Sequence, residues 1–280
     1  MNINKNLNKI SNKKNLFGQK TPKMSMLDRI GFLPTSIWNV DWNRTKVLKG
    51  IIGDKGQTRD VKGTTTFGNS DLGASIFNPD LAQKILSAYA PLDAKILDQF
   101  GGGGTRGFVA TAMGFDYTGV ELRQIEVDRI KEKMNELDKH FNLICNDSTV
   151  QEFEPESFNF SYTCPPYYDL EVYSKDEKDL SNLGTYEEFL TNMKKVLEIN
   201  YKSLKPDSFS IWVVGNFRDK KGNLTHYNGD LIRLAKEVGF NLWDELIFNG
   251  ACGLASMRVG NFEKNRKSVR IHEYIVVLKK

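Results

Sequence analysis

The sequence predicts an α/β protein built on a mostly parallel sheet with helices on both faces. Three observations lead there. From residue 76 on, short apolar runs alternate with longer amphipathic ones, the strand–helix order that a parallel sheet requires. Four consecutive glycines, Gly101 to Gly104, follow one apolar run and open a helical one. Acids close the first three predicted strands: Asp98, Glu121 and Asp147. In such sheets this is the edge where ligands bind.

The elements follow in order. Residues 1 to 25 read as a disordered basic tail, polar and poor in large apolar side chains. Six lysines (Lys5, Lys9, Lys13, Lys14, Lys20, Lys23) fall within residues 1 to 27, with no acid among them. Residues 26 to 74 form an N-terminal extension of irregular pattern, with Trp38, Trp42 and Arg44 close together. The main domain spans 75 to 280. It begins with a helix in "NPDLAQKILSAY", where Asn78 is the N-cap and Pro79 the first helical residue. "AKILDQF" is a strand and "TRGFVATAM" a helix; "YTGVEL" is a strand and "RQIEVDRIKEKMNELDKH" a long charged helix. "FNLICND" and "FNFSYT" are strands, and "YEEFLTNMKKVLEINYKSL" is a helix. "SFSIWVVGNF" is a strand, "GDLIRLAKEVG" a helix, and "NLWDELIFN" and "VRIHEYIVVLKK" are the last two strands.

Composition narrows the function classes. A chain of 280 residues has room for one large domain with a substantial core. Hydrophobic residues make up 40% and charged residues 26%, ordinary for a soluble globular protein. No apolar run approaches the roughly 20 residues of a membrane helix, so no membrane partner is expected. The Lys/Asn-rich N-terminus has no apolar core of a secretory signal. Three cysteines, Cys145, Cys164 and Cys252, and three scattered histidines give neither a disulfide framework nor metal-ligand spacing. A cytoplasmic setting and no metal are therefore expected. A second basic cluster, Arg258, Lys264, Arg266, Lys267 and Arg270, lies near the C-terminus. Like the tail, it can track phosphates or simply stay solvated.

The glycine loop "ILDQFGGGGTRG" lets the backbone approach a ligand closely, and the helix behind it favours polar or anionic groups. Glu121 stands 23 residues after Asp98, where an acid grips nucleoside ribose hydroxyls. Asp147, in "CNDS", can accept from an adenine amino group. A GxxxxGK[ST] phosphate loop is missing from the sequence, which argues against a nucleotidase. From the loop alone a dinucleotide dehydrogenase stays possible, but it leaves the rigid corner "TCPPYY", residues 163 to 168, unexplained.

The ordered set "SIFNP", "LDQFGGGGTRG", "GVEL", "NDS" and "TCPPYY" resembles the S-adenosylmethionine-dependent DNA amino-methyltransferases, which act on adenine N6 or cytosine N4. The likeness covers residues 75 to 280. "YYDLEVYSKDEKDLSN" and "RTKVLKGIIGDKGQTR" resemble methylases carried by phages and mobile elements. The resemblance implies a Rossmann-like class I methyltransferase fold: a mostly parallel seven-stranded sheet with a C-terminal antiparallel strand. It implies S-adenosyl-L-methionine as cofactor, double-stranded DNA as partner, and a cytoplasmic location in a bacterial or phage-infected host cell. It makes the 26 to 74 extension a place for DNA contacts.

Residue by residue, the resemblance assigns the cofactor to Phe77, Pro79, Asp98, Phe100, Gly101, Gly102, Gly103, Gly104, Thr105, Glu121, Asp147 and Ser148. The catalytic corner is Cys164, Pro165, Pro166 and Tyr167. A base within a duplex cannot present its amino group, so the base is flipped out. The Pro165 carbonyl accepts its amino hydrogens and the Tyr167 ring stacks on it. The family normally has Asp, Asn or Ser where this chain has Cys164, and sulfur is a poor acceptor. Three readings of Cys164 stay open: weak acceptor, packing thiol, or nucleophile for ring-carbon methylation. Gln99 stands where the family usually has proline and is expected to alter little. Two other functions share these features: an RNA or protein amide methyltransferase, and a non-catalytic DNA-binding protein with a retained pocket. Target recognition is expected from residues 27 to 75, the 168 to 184 loop and the 250 to 270 segment.

Overall fold

Runs rich in Val, Ile and aromatic residues become the central strands, and their period-2 alternation serves both faces of the sheet. In the strand Leu204–Val214 (β6), Ile211 and Val213 join the core on one face, while Trp212 and Val214 join the core on the other. The last strand, His272–Lys279 (β10), divides the same way: Ile275 and Val277 against Val276 and Leu278. All eight of these side chains are fully buried, each contributing about 1.5–3 kcal/mol.

The computed structural model describes residues 30–52, 77–170, 172–250 and 259–280. The 1 to 25 tail, most of the Gly-rich stretch before residue 77, Cys252 and Arg258 lie outside the described residues. The described chain runs β1 (Ile37–Asn39), α1 (Trp42–Ile52), α2 (Pro79–Tyr89), β2 (Lys95–Asp98), α3 (Thr105–Met113), β3 (Asp116–Glu121), α4 (Gln124–Leu137) and β4 (Asn142–Cys145). It continues through β5 (Phe158–Thr163), α5 (Tyr186–Ser203), β6, a short hairpin of β7 (Phe217–Arg218) and β8 (Leu224–Thr225), α6 (Tyr227–Val238), β9 (Asn241–Asn249), α7 (Val259–Asn265) and β10. No helix of the described residues is long and apolar enough to cross a membrane.

The main sheet has the order β1-β9-β10-β6-β5-β2-β3-β4. β10 is antiparallel to both its neighbours, and the other pairs are parallel. The seven strands β2 to β6, β9 and β10 make the expected mostly parallel sheet with its C-terminal antiparallel strand. An eighth, β1, comes from the N-terminal extension and pairs Trp38 with Phe248. Trp38 is 2% exposed and packs in the core, so this part of the extension is built into the sheet edge.

Local chemistry sets the helix ends. The Asn78 side chain accepts from the Asp80 and Leu81 backbone N–H groups at 2.9 and 3.1 Å, with Pro79 at the first turn. Such a cap is worth about 1 kcal/mol. Helix α5 opens with a reciprocal capping box between Thr185 and Glu188. The strand order reverses between β2 and β5, which pair in parallel with Leu97 opposite Ser161. Both strands therefore deliver their following loops, the glycine loop and the proline corner, to one crevice.

Candidate active site

The glycine loop is shaped by one buried carboxylate. Asp98 is inaccessible to solvent and accepts hydrogen bonds from Arg106 Nε (2.6 Å), the Tyr117 hydroxyl (2.5 Å), the Thr163 hydroxyl (2.7 Å) and the Phe100 backbone N–H (3.1 Å). These partners come from α3, β3, the end of β5 and the loop itself. The Arg106 guanidinium also donates to the Phe100 carbonyl and lies over the Phe77 ring, 4.9 Å from its centroid. Losing one member of a buried pair of this kind costs about 3–5 kcal/mol, because the other charge is stranded. Asp98 thus stands behind the cavity wall and braces the loop from within.

Two glycines are set by geometry. A Cβ at Gly101 would sit 3.2 Å from the Val120 carbonyl oxygen, where the loop crosses β3. Gly104 has φ +81°, and a Cβ there would press on Phe108 and Ile130 at 3.1–3.3 Å. The loop so held presents the Gly102 N–H to Glu121 Oε2 at 3.0 Å. Glu121 Oε1 accepts from the Arg123 N–H at 3.0 Å, with the Arg123 guanidinium 3.5 Å away. Burial pushes the Glu121 carboxyl up to about 7, against the pull of the Arg123 and Gly102 N–H groups and the Arg123 charge. Asp147 turns the chain after β4: its Oδ1 accepts from the Thr149 N–H and hydroxyl, both at 2.8 Å. Ser148 is buried and donates to the Gln99 carbonyl.

A cavity of about 620 Å³ joins this edge to the proline corner. Of the expected cofactor residues, Phe77, Phe100, Gly101, Gly102, Gly103, Thr105, Glu121, Asp147 and Ser148 line it. So do all four corner residues, Cys164, Pro165, Pro166 and Tyr167. Pro79, Asp98 and Gly104 do not line it; they shape the wall from behind. Pro165 and Pro166 contribute no N–H, and the Pro165 carbonyl accepts no hydrogen bond from the described residues. The Tyr167 hydroxyl donates to Glu273 at 2.6 Å and lies 3.6 Å from Cys164 Sγ. Burial, with Glu273 adding to it, pushes the Cys164 thiol up to about 12. A thiol held that high carries almost no thiolate near neutral pH, which counts against the nucleophile reading.

Several residues of the site escaped the motif reading. Arg106 gives one signal, a charge placed in the first turn of an apolar helix. Glu273 gives none, since a single acid in a strand reads as solvent-facing. Gln99 is 1% exposed, and both ends of its amide are engaged: Nε2 donates to the Val196 carbonyl (3.1 Å) and Oε1 accepts from Asn200 (2.8 Å). Asn200 continues to Ser161 and Ser210. Gln99 therefore ties the loop to α5, where a change of little consequence was expected. In the 168 to 184 loop, Asp179 is the organiser, accepting from Ser174 and Ser181 through both backbone and side chain at 2.6–3.0 Å. That folds Tyr173, Lys178 and Leu180 onto the cavity wall. Of the second basic cluster, Arg270 lines the cavity, while Lys264 and Arg266 are exposed.

The fold is the Rossmann-like fold of S-adenosylmethionine-dependent methyltransferases. Residues 158–280 match the family model described as DNA methylase, of the N6/N4 methyltransferase type. No curated protein matches the chain. An S-adenosylmethionine-dependent methyltransferase from Methanosarcina mazei is similar in structure, with TM-score 0.50 and 13% identity, covering 70% of this chain and 96% of its own. The cyclase SpnF is similar at TM-score 0.51 and 14% identity, covering 84% and 92%. These likenesses show the fold; a cyclase among them illustrates that the fold alone does not set the reaction. The family match, over β5 to β10, spans less than half of the chain.

Proposed function

We propose that the chain flips an adenine or cytosine out of double-stranded DNA, seats it against the proline corner, and methylates adenine N6 or cytosine N4. The observation that carries this is the single cavity lined by both the glycine loop and the corner. The residues on the wall fit the cofactor. The buried Glu121 carboxylate suits ribose hydroxyls, and Asp147 Oδ2 suits the adenine amino group. Phe77 and Thr105 would face the methionine end.

When bound, S-adenosylmethionine supplies a methyl group on a positively charged sulfur, already activated for direct displacement. The chain contributes positioning and electrostatics. The Pro165 carbonyl accepts the target's amino hydrogens and favours a tetrahedral nitrogen. The Tyr167 ring stacks on the base, and Cys164 is a weak acceptor beside it. Lys178 and Arg270 at the cavity wall and the exposed Lys264 and Arg266 suit the DNA backbone. This reading places the protein in the cytoplasm, with DNA. Nucleoside analysis of duplex DNA incubated with the protein and S-adenosylmethionine tests it: one methylated amino base is expected, with single-stranded DNA and RNA as parallel substrates. Methylation of RNA in preference to the duplex would overturn the substrate assignment.

A further inference from the structure

The last strand reaches the corner at one residue. Glu273 is the second residue of β10, and its backbone lies opposite Phe248 of β9, so it projects from an inner strand. It shares the cavity wall with Cys164, Pro165 and Tyr167. Four acids line that wall: Glu121, Asp147, Asp179 and Glu273. The first two belong to the cofactor edge, and Asp179 is committed to its own turn. Glu273 alone meets the proline corner, through the 2.6 Å bond from the Tyr167 hydroxyl.

The Cys164 sulfur, 3.6 Å from the same hydroxyl, is a second and weaker partner, and packing holds the rest of the Tyr167 ring. The ring passes 3.6 Å from where a Cβ on Gly215 would lie, and the Tyr227 ring stands edge-on at 6.4 Å. Packing of that kind limits the ring's tilt but leaves it free to slide along its own axis. A phenol bonded to a carboxylate is pinned at its far end, and such charge-assisted bonds are the stronger class. Burial, with Cys164 and Glu273 nearby, pushes the phenol well above its ordinary range, so it remains a donor. Small misplacements of a group that aligns reactants cost rate steeply.

We propose that Glu273 is the positioning residue of the proline corner: by holding the Tyr167 hydroxyl it fixes the ring on which the target base stacks. This inference rests on the stacking role given to Tyr167 above. Glu273 then governs the rate of transfer and leaves cofactor affinity alone.

The test uses the full chain and duplex DNA, with single-turnover methyl transfer and calorimetric S-adenosylmethionine binding measured side by side. Glu273→Ala is expected to slow transfer about tenfold with cofactor affinity unchanged. Tyr167→Phe removes the other partner of the same bond and should lose as much, and the double variant should be no slower than either single one. Glu273→Gln, whose amide oxygen still accepts from the phenol, should recover the rate to within about threefold. Full-rate Glu273→Ala, or a Glu273→Ala loss repeated in the Tyr167→Phe background, overturns the inference while wild-type DNA methylation keeps the functional reading intact. Absence of DNA methylation by the wild type overturns that reading and this inference together.

Discussion

If Glu121 holds the cofactor ribose as proposed, cofactor binding should depend on pH. Burial holds its carboxyl at about 7, and two backbone N–H groups already point at it. Ribose hydroxyls donate, so they prefer the ionised carboxylate. The sign follows: a ligand that prefers the ionised form binds less well as pH falls through about 7, and its affinity levels off above. With one titrating group, affinity should drop about tenfold between pH 8 and pH 6, or about 1.4 kcal/mol. Calorimetry from pH 5.5 to 8.5 at constant ionic strength reads this directly. Glu121→Gln should flatten the profile over that range, and Glu121→Ala should weaken binding at pH 8 by about 1.5–3 kcal/mol. A flat wild-type profile, or an equal slope in Glu121→Gln, would refute the ribose assignment.

Three further outcomes are expected. Cys164→Ser should stay active, since serine accepts better than sulfur, and Cys164→Ala should lose less than the roughly 10²–10³-fold typical of a key transition-state donor; a covalent DNA adduct trapped on Cys164 with a mechanism-based pyrimidine analogue would reverse this. Gln99→Leu should cost about 1–3 kcal/mol in urea unfolding, because the Asn200 amide loses its buried acceptor; an unchanged midpoint would mean the Gln99–Asn200 contact carries no weight. Deleting residues 1 to 25 should weaken DNA binding and reduce its salt slope while cofactor affinity holds, and an identical slope would make the tail a solubiliser only.

Much of the site was legible because backbone chemistry is local. Asn78 and Pro79 announce a helix start through their own covalent structure, and Gly104 announces a left-handed turn for the same reason. Glu121 and Asp147 line the cavity where they were expected, because a strand end followed by a helix fixes where an acid can stand. The same rule could not tell that Asp98 turns inward. A strand-end carboxylate reads alike whether it meets a ligand or its own loop, and only the packing of Arg106, Tyr117 and Thr163 around it decides. β1 was hidden for another reason: three residues cannot show alternation, and Trp38 is buried by pairing with a strand more than two hundred positions away. Glu273 and Gln99 act through partners over a hundred positions and about a hundred positions distant, a separation that no motif spans.

The central claim is amino-group methylation of DNA, and the most direct measurement is the identity of the methylated nucleoside. Duplex DNA is incubated with the protein and methyl-labelled S-adenosylmethionine, digested, and its nucleosides resolved by mass. The account predicts label in N6-methyladenine or N4-methylcytosine, lost when Tyr167 is replaced by alanine. Label in 5-methylcytosine would contradict it, for that product requires the ring-carbon chemistry that a Cys164 thiol held near 12 does not support.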